Sequence, residues 1–92
     1  MTSLDRYPAR RPVAWRVLDT EAIVVDPKAG MLYPLNSVAA RIWQLCDGTH
    51  TVATIIDRLA EEFDGARETM ATDAVDFLEA LRAADLIEFH QR

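Results

Sequence analysis

Residues 31–59, MLYPLNSVAARIWQLCDGTHTVATIIDRL, change secondary-structure period within a short span. They open as an extended run and turn helical at Leu35-Asn36-Ser37. They stop at Asp47-Gly48 and restart as a second helix. Asn36 or Ser37 can cap the first helix, because a side-chain oxygen there accepts from an orphan amide one turn on. Val38, Ile42 and Leu45 then form one apolar stripe, widened by Ala39, Trp43 and Cys46. Gly48 terminates a helix running to about Asp47. Thr49 or Thr51 caps the next, over about 52–63, where Val52, Ile55, Ile56, Leu59 and Phe63 keep the spacing of a buried face.

The flanks complete the outline. Val13, Trp15 and Val17 alternate with their neighbours and suggest a strand near 13–18. Asp19-Thr20 is a tight connection, and residues 21–25 are a second, β-branched strand. Asp26-Pro27-Lys28-Ala29-Gly30 is turn chemistry: Pro27 presets φ and Gly30 can go left-handed. Residues 31–35 then return antiparallel as a third strand. After Asp64-Gly65 a third helix spans about residues 67–84, and 86–89 form a short extended piece. The third helix carries an unusually wide apolar band: Met70, Ala74, Phe77, Leu81 and Ala84, flanked by Ala71, Val75 and Leu78. Such a band is either covered on both sides or left open on one as a groove. The expected class is α+β: a three-stranded antiparallel sheet followed by three helices, with the outline of a winged helix-turn-helix. Residues 1–12, with two prolines and three arginines, read as a mobile N-terminal arm, and 13–92 as one domain.

Pro34 constrains the third strand further. It has no amide to give a ladder, and such prolines sit on edge strands with the missing donor outward. An open edge can accept an added strand from another chain. Equally, Pro34 can simply end the strand and discourage aggregation. An exposed edge also invites pairing of two copies, so a homodimer is an expectation.

Charge and motifs narrow the function. The chain carries −5 overall, with +2 on residues 1–12 and −7 on the rest. A winged-helix regulatory or DNA-binding protein is the alternative that the outline permits, but an acidic body repels phosphate backbones and argues against nucleic acid as the partner. The second and third helices are both net acidic, unlike a recognition helix. An acyl carrier would suit a small acidic chain, but the Asp-Ser-Leu attachment site is absent and the first third reads as strands. No membrane-length apolar run and no signal-peptide block occurs, and Cys46 is the single cysteine, so the expected location is cytoplasmic. Cys46 reads as a small buried hydrophobe. His50 and His90 are isolated, no metal-ligand spacing or nucleotide-binding glycine motif is present, and the helical carboxylates read as a solvated face. The expectation is a non-enzyme without metal or cofactor.

A set of residues carries a family resemblance: Val24-Val25-Asp26-Pro27, Gly30 and Tyr33; Leu35-Asn36, Ala40, Ile42-Trp43, Leu45 and Asp47-Gly48; Thr51, Ile55-Ile56 and Leu59; Asp73, Phe77-Leu78, Leu81 and Leu86-Ile87. In this order they resemble the PqqD family, the small stand-alone form of the RiPP recognition element, over roughly 13–89. Family members often have Gly before the final Leu-Ile. Here Asp85 stands in that place, and Asp tolerates the left-handed region better than most residues. The resemblance implies a peptide chaperone. It would bind the leader segment of a ribosomally made precursor and present it to a modifying enzyme, often a radical SAM enzyme. It also implies where: the leader adds as a strand to Met31, Leu32, Tyr33, Pro34 and Leu35 and packs on the third helix, whose wide apolar band suggests the face of Asp73, Asp76, Phe77 and Ala80. The acidic helix rim would favour Lys or Arg in the leader.

Overall fold

The computed structural model describes residues 4–91. Its sheet is organised by the Asp26 turn. The Asp26 carboxylate is buried, and one oxygen accepts from the amides of Lys28 (3.0 Å) and Ala29 (3.2 Å). This local bond closes the turn between β3 (Glu21–Asp26) and β4 (Met31–Leu35), and Gly30 takes φ 64° as the turn requires. On the other side β2 (Trp15–Leu18) joins β3 through Asp19, itself at φ 61°. The order is β2-β3-β4, antiparallel throughout, with Val24 facing Trp15 on one side and Tyr33 on the other. Ala22, Val24 and Leu35 point into the core, so the alternate residues Ile23, Val25, Leu32 and Pro34 take the outer face.

Three helices cover the inner face. Asn36 is the cap of α1 (Ser37–Leu45), accepting from Ala39 N at 2.9 Å. Thr51 is the cap of α2 (Val52–Glu62), accepting from Thr54 N at 3.1 Å. The third helix, α3 (Arg67–Ala83), ends in a Schellman motif: Leu86 N bonds Leu81 O, Asp85 N bonds Arg82 O, and Asp85 sits at φ 64°. Asp85 thus adopts the conformation expected of the usual glycine, and its carboxylate pairs with Lys28. The core gathers Val24, Trp43, Val52, Ile55, Leu59, Ala74, Leu78, Leu86 and Ile87 from sheet and helices alike. Among the described residues no helix is long and apolar enough to cross a membrane.

The N-terminal segment corrects one expectation. Residues 1–12 read as a mobile arm, yet Tyr7–Arg10 form a strand, β1, paired antiparallel with β5 (Ile87–His90) in a second, two-stranded sheet. The reason is bonding between distant parts of the chain. Arg6 O and Leu4 O accept the free amides of Val52 and Ala53 at the start of α2, each at 3.0 Å. Pro8 O accepts from Gly48 N, and Arg10 N donates to Cys46 O. The Arg10 guanidinium caps the last turn of α1 through the carbonyls of Trp43 (2.9 Å) and Gln44 (2.8 Å). Arg6 lies over the Phe89 ring at 4.0 Å. Residues 1–3 of the expected arm lie outside the described residues.

The α1–α2 turn is held by Asp47, whose Oδ1 accepts from Thr49 N (2.9 Å) and Thr49 Oγ1 (2.6 Å) and lies 3.0 Å from His50 Nδ1. Partial burial opposes ionisation, but these partners outweigh it and lower the carboxyl from 3.8 to about 2. The folded-state value lies below the unfolded one. The charged carboxylate therefore stabilises the fold above about pH 4, and that contribution is lost as pH falls through about 2. Asp47→Asn keeps an acceptor oxygen but not the charge. Its thermal midpoint should fall less steeply than wild type between about pH 4 and about pH 2. Parallel acid limbs for the two proteins would show that the turn does not depend on this charge.

Candidate functional site

The free edge of β4 has a definite hydrogen-bonding pattern. Val25 N bonds Ala14 O at 2.9 Å, so Val25 and Ile23 turn their amides and carbonyls toward β2. Ala22, Val24 and Asp26 therefore turn theirs toward β4, where they pair with Leu35, Tyr33 and Met31. That leaves Leu32 and Pro34 facing away from the sheet. The open edge offers one donor, Leu32 N–H, and two acceptors, Leu32 O and Pro34 O. The missing amide of Pro34 points outward, as expected of an edge proline.

Next to the end of this strand lies a groove of about 400 Å³ between α1 and α3. Val38, Ala39 and Ile42 of α1 face Met70, Ala74 and Phe77 of α3, with Asn36, Asp64, Gly65, Ala66, Thr69 and Asp73 completing the lining. The wide apolar band of α3 is thus split. Ala74, Leu78 and Leu81 enter the core, Met70 and Phe77 line this groove, and Ala71 and Val75 turn to a separate cleft with Leu4 and Ile56.

The expected site residues divide accordingly. Leu32 is 62% exposed, and Met31 and Pro34 are also exposed, whereas Tyr33 is half-buried against the core. Leu35 is only 7% exposed and bonds inward to Ala22, so neither its side chain nor its backbone reaches the edge. Asp73 and Phe77 line the groove. Asp76 lines the opposite cleft with Leu4 and Val75, and Ala80 is exposed on α3 outside the groove lining. Reasoning from sequence missed Val38, Ala39, Ile42, Asp64 and Met70 as lining residues. The available signals were the surplus apolar positions of α3, Met70 among them, and the Asp64-Gly65 break, which places a carboxylate just before α3.

Reactive chemistry is sparse. Burial pushes the Cys46 thiol up to about 12, against a smaller opposing effect of Arg10, so it stays protonated. Among the described residues no three His, Cys, Asp or Glu side chains gather as metal ligands.

An open edge strand beside an apolar groove, on a three-stranded sheet backed by three helices, defines a small α+β recognition domain able to hold an extended peptide. Residues 21–87 match the family model for coenzyme PQQ synthesis protein D, and the chain belongs to the PqqD family. It is 43% identical over 60 residues to PqqA binding protein 2 of Pseudomonas putida, covering 65% of this chain and 66% of that protein. It is 34% identical over 65 residues to the PqqA binding protein of Methylococcus capsulatus, covering 71% and 67% respectively. The chain thus spans about two thirds of the length of these relatives. Among solved structures, TbiB1 in complex with the TbiA(beta) leader peptide superposes with a TM-score of 0.76 at 28% identity, covering 87% of this chain and 94% of that one. Lasso peptide synthetase B1 complexed with the leader peptide shares the fold at a TM-score of 0.75 and 22% identity, covering 89% and 98%.

Proposed function

We propose that this protein binds the leader segment of a ribosomally synthesised precursor peptide by strand addition to β4 and presents it to a modifying enzyme in the cytosol, where such precursors are made. The observation that carries this reading is the outward-facing Leu32 and Pro34 backbone beside the α1–α3 groove. Main-chain bonds give such a site generic affinity, and side-chain pockets select the sequence. The relatives named for binding PqqA, and the TbiB1 structure with its leader peptide, support the same class of ligand. The protein's part is to hold and orient. Covalent chemistry on the precursor falls to the partner, for which a radical SAM enzyme is our proposal.

Titration with synthetic PqqA peptide, followed by amide exchange, tests the reading. Leu32 N–H, open to water in the free protein, should become protected. Protection confined to α2 would contradict strand addition. Pro34→Ala adds an outward donor without disturbing the β3–β4 ladder. Affinity should stay level or tighten by up to about tenfold, the worth of one added hydrogen bond. A large loss measured by calorimetry would instead assign the proline ring a packing role against the peptide.

A further inference from the structure

Only some carboxylates of this protein are held by basic partners. Asp57, Glu62, Asp85 and Glu88 each pair with an Arg or Lys, and Glu79 pairs with Arg82. Asp64 and Asp73, like Asp19, Glu21, Glu61, Glu68 and Asp76, have no ion pair or side-chain hydrogen bond among the described residues; their place sets these two apart. These two stand on the rim of the α1–α3 groove, Asp64 at the loop before α3 and Asp73 on α3 itself. Its lining includes no Lys, Arg or His, so nothing within it neutralises them. Between them the floor is apolar, and Gly65 borders it. That residue has φ 141°, and a Cβ there would stand 3.1 Å from Met70 Cε.

We propose that the groove selects leaders in which one large apolar residue is closely flanked by lysine or arginine, with Asp64 and Asp73 as the specificity-determining residues. This rests on the strand-addition reading above. The apolar side chain fills the floor formed by Ile42, Met70, Ala74 and Phe77, and the flanking cations meet the two carboxylates at the rim. The apolar walls strengthen the field of charges beside them and repel acidic flanks, so the pair acts partly by rejecting wrong peptides. Each carboxylate remains water-accessible, which limits its effect to about fivefold and the pair to about twentyfold.

The probe is a display library of random 12-residue peptides carrying one fixed leucine, selected separately on wild type, Asp64→Asn/Asp73→Asn and Glu61→Gln. Glu61 is an exposed carboxylate of α2 outside the groove lining, so it controls for the loss of a surface carboxylate away from the groove. Wild type and Glu61→Gln should enrich Lys or Arg within two or three positions of the apolar anchor. The double variant should lose that bias and bind the enriched peptides roughly twentyfold more weakly. Exchange at Leu32 N–H is then read with the selected peptides. Peptides that protect Leu32 but show no basic bias, or keep it in the double variant, overturn this inference and leave strand addition standing. Selected peptides that leave Leu32 unprotected overturn both.

Discussion

Leu32→Pro is expected to leave the domain folded and to weaken peptide binding by about fivefold to about a hundredfold. Leu32 carries the one amide on β4 that faces outward, so its removal takes nothing from the β3–β4 ladder. Proline is tolerated at such edge positions, and Pro34, two residues on, already occupies the equivalent one. Met31 is already extended, which is the conformation a following proline demands. The Leu32 side chain is 62% exposed, so folding loses little with it. The incoming peptide, by contrast, loses its one donor from this edge and must bury a carbonyl without a partner, at about 1–3 kcal/mol. Leu32→Ala separates the two effects, since it removes the side chain and keeps the amide. Calorimetry with PqqA peptide should place the alanine variant near wild type and the proline variant far below it. If both bind equally well, the peptide does not add to β4. The other edge then becomes the place to look, because Trp15 and Val17 on β2 also face away from β3 and offer complete donor–acceptor pairs.

The parts of the fold that were legible in the sequence are those determined by neighbours along the chain. Asp26, Gly30, Asn36, Thr51 and Asp85 act on residues within five positions, and each does in the structure what its chemistry suggests. Pro34 marked the edge for the same reason: the missing donor is a property of the residue itself. β1 was illegible because Tyr7 alone in YPAR is a strand former, and one such residue makes no pattern. Its partners lie at 46–48 and 87–90, and a proline within it obscures the pattern. The groove was half legible. Periodicity shows that α3 has too many apolar positions for one buried stripe, but not which flank another element covers. Asp73 and Asp76 illustrate the limit: three positions apart on a helix, they point about 60° apart, and that suffices to put them on different clefts. Likewise Val38 and Ile42 follow the spacing of core residues, and only the placement of α3 turns part of that stripe into the floor of a binding groove.

Trp43 supports the largest expected effect on stability. Its ring is fully buried at the centre of the core and meets Trp15 edge-on, with centroids 6.1 Å apart and planes at 81°. Trp43→Ala should cost about 3–5 kcal/mol, from lost burial and the cavity left behind. A domain of this size has only about 5–14 kcal/mol of stability in total, so the alanine variant should be largely unfolded well below the wild-type midpoint. The indole N–H behaves differently from the ring. Trp43 Nε1 is buried and finds no acceptor among the described residues, a burden of about 1–3 kcal/mol. Trp43→Phe discards that donor while keeping an aromatic plate against Trp15. Its smaller ring forfeits some packing, but relief of the orphan donor offsets much of it, and the net cost should stay within about 1 kcal/mol. The Arg10 bond to the Trp43 carbonyl is to backbone and survives in both variants. Urea unfolding should therefore give the order wild type, Trp43→Phe close behind, and Trp43→Ala far below, with similar m-values for the first two. A phenylalanine variant as damaged as the alanine one would show that the full indole shape, and not merely an aromatic filling, is what the core requires at this position.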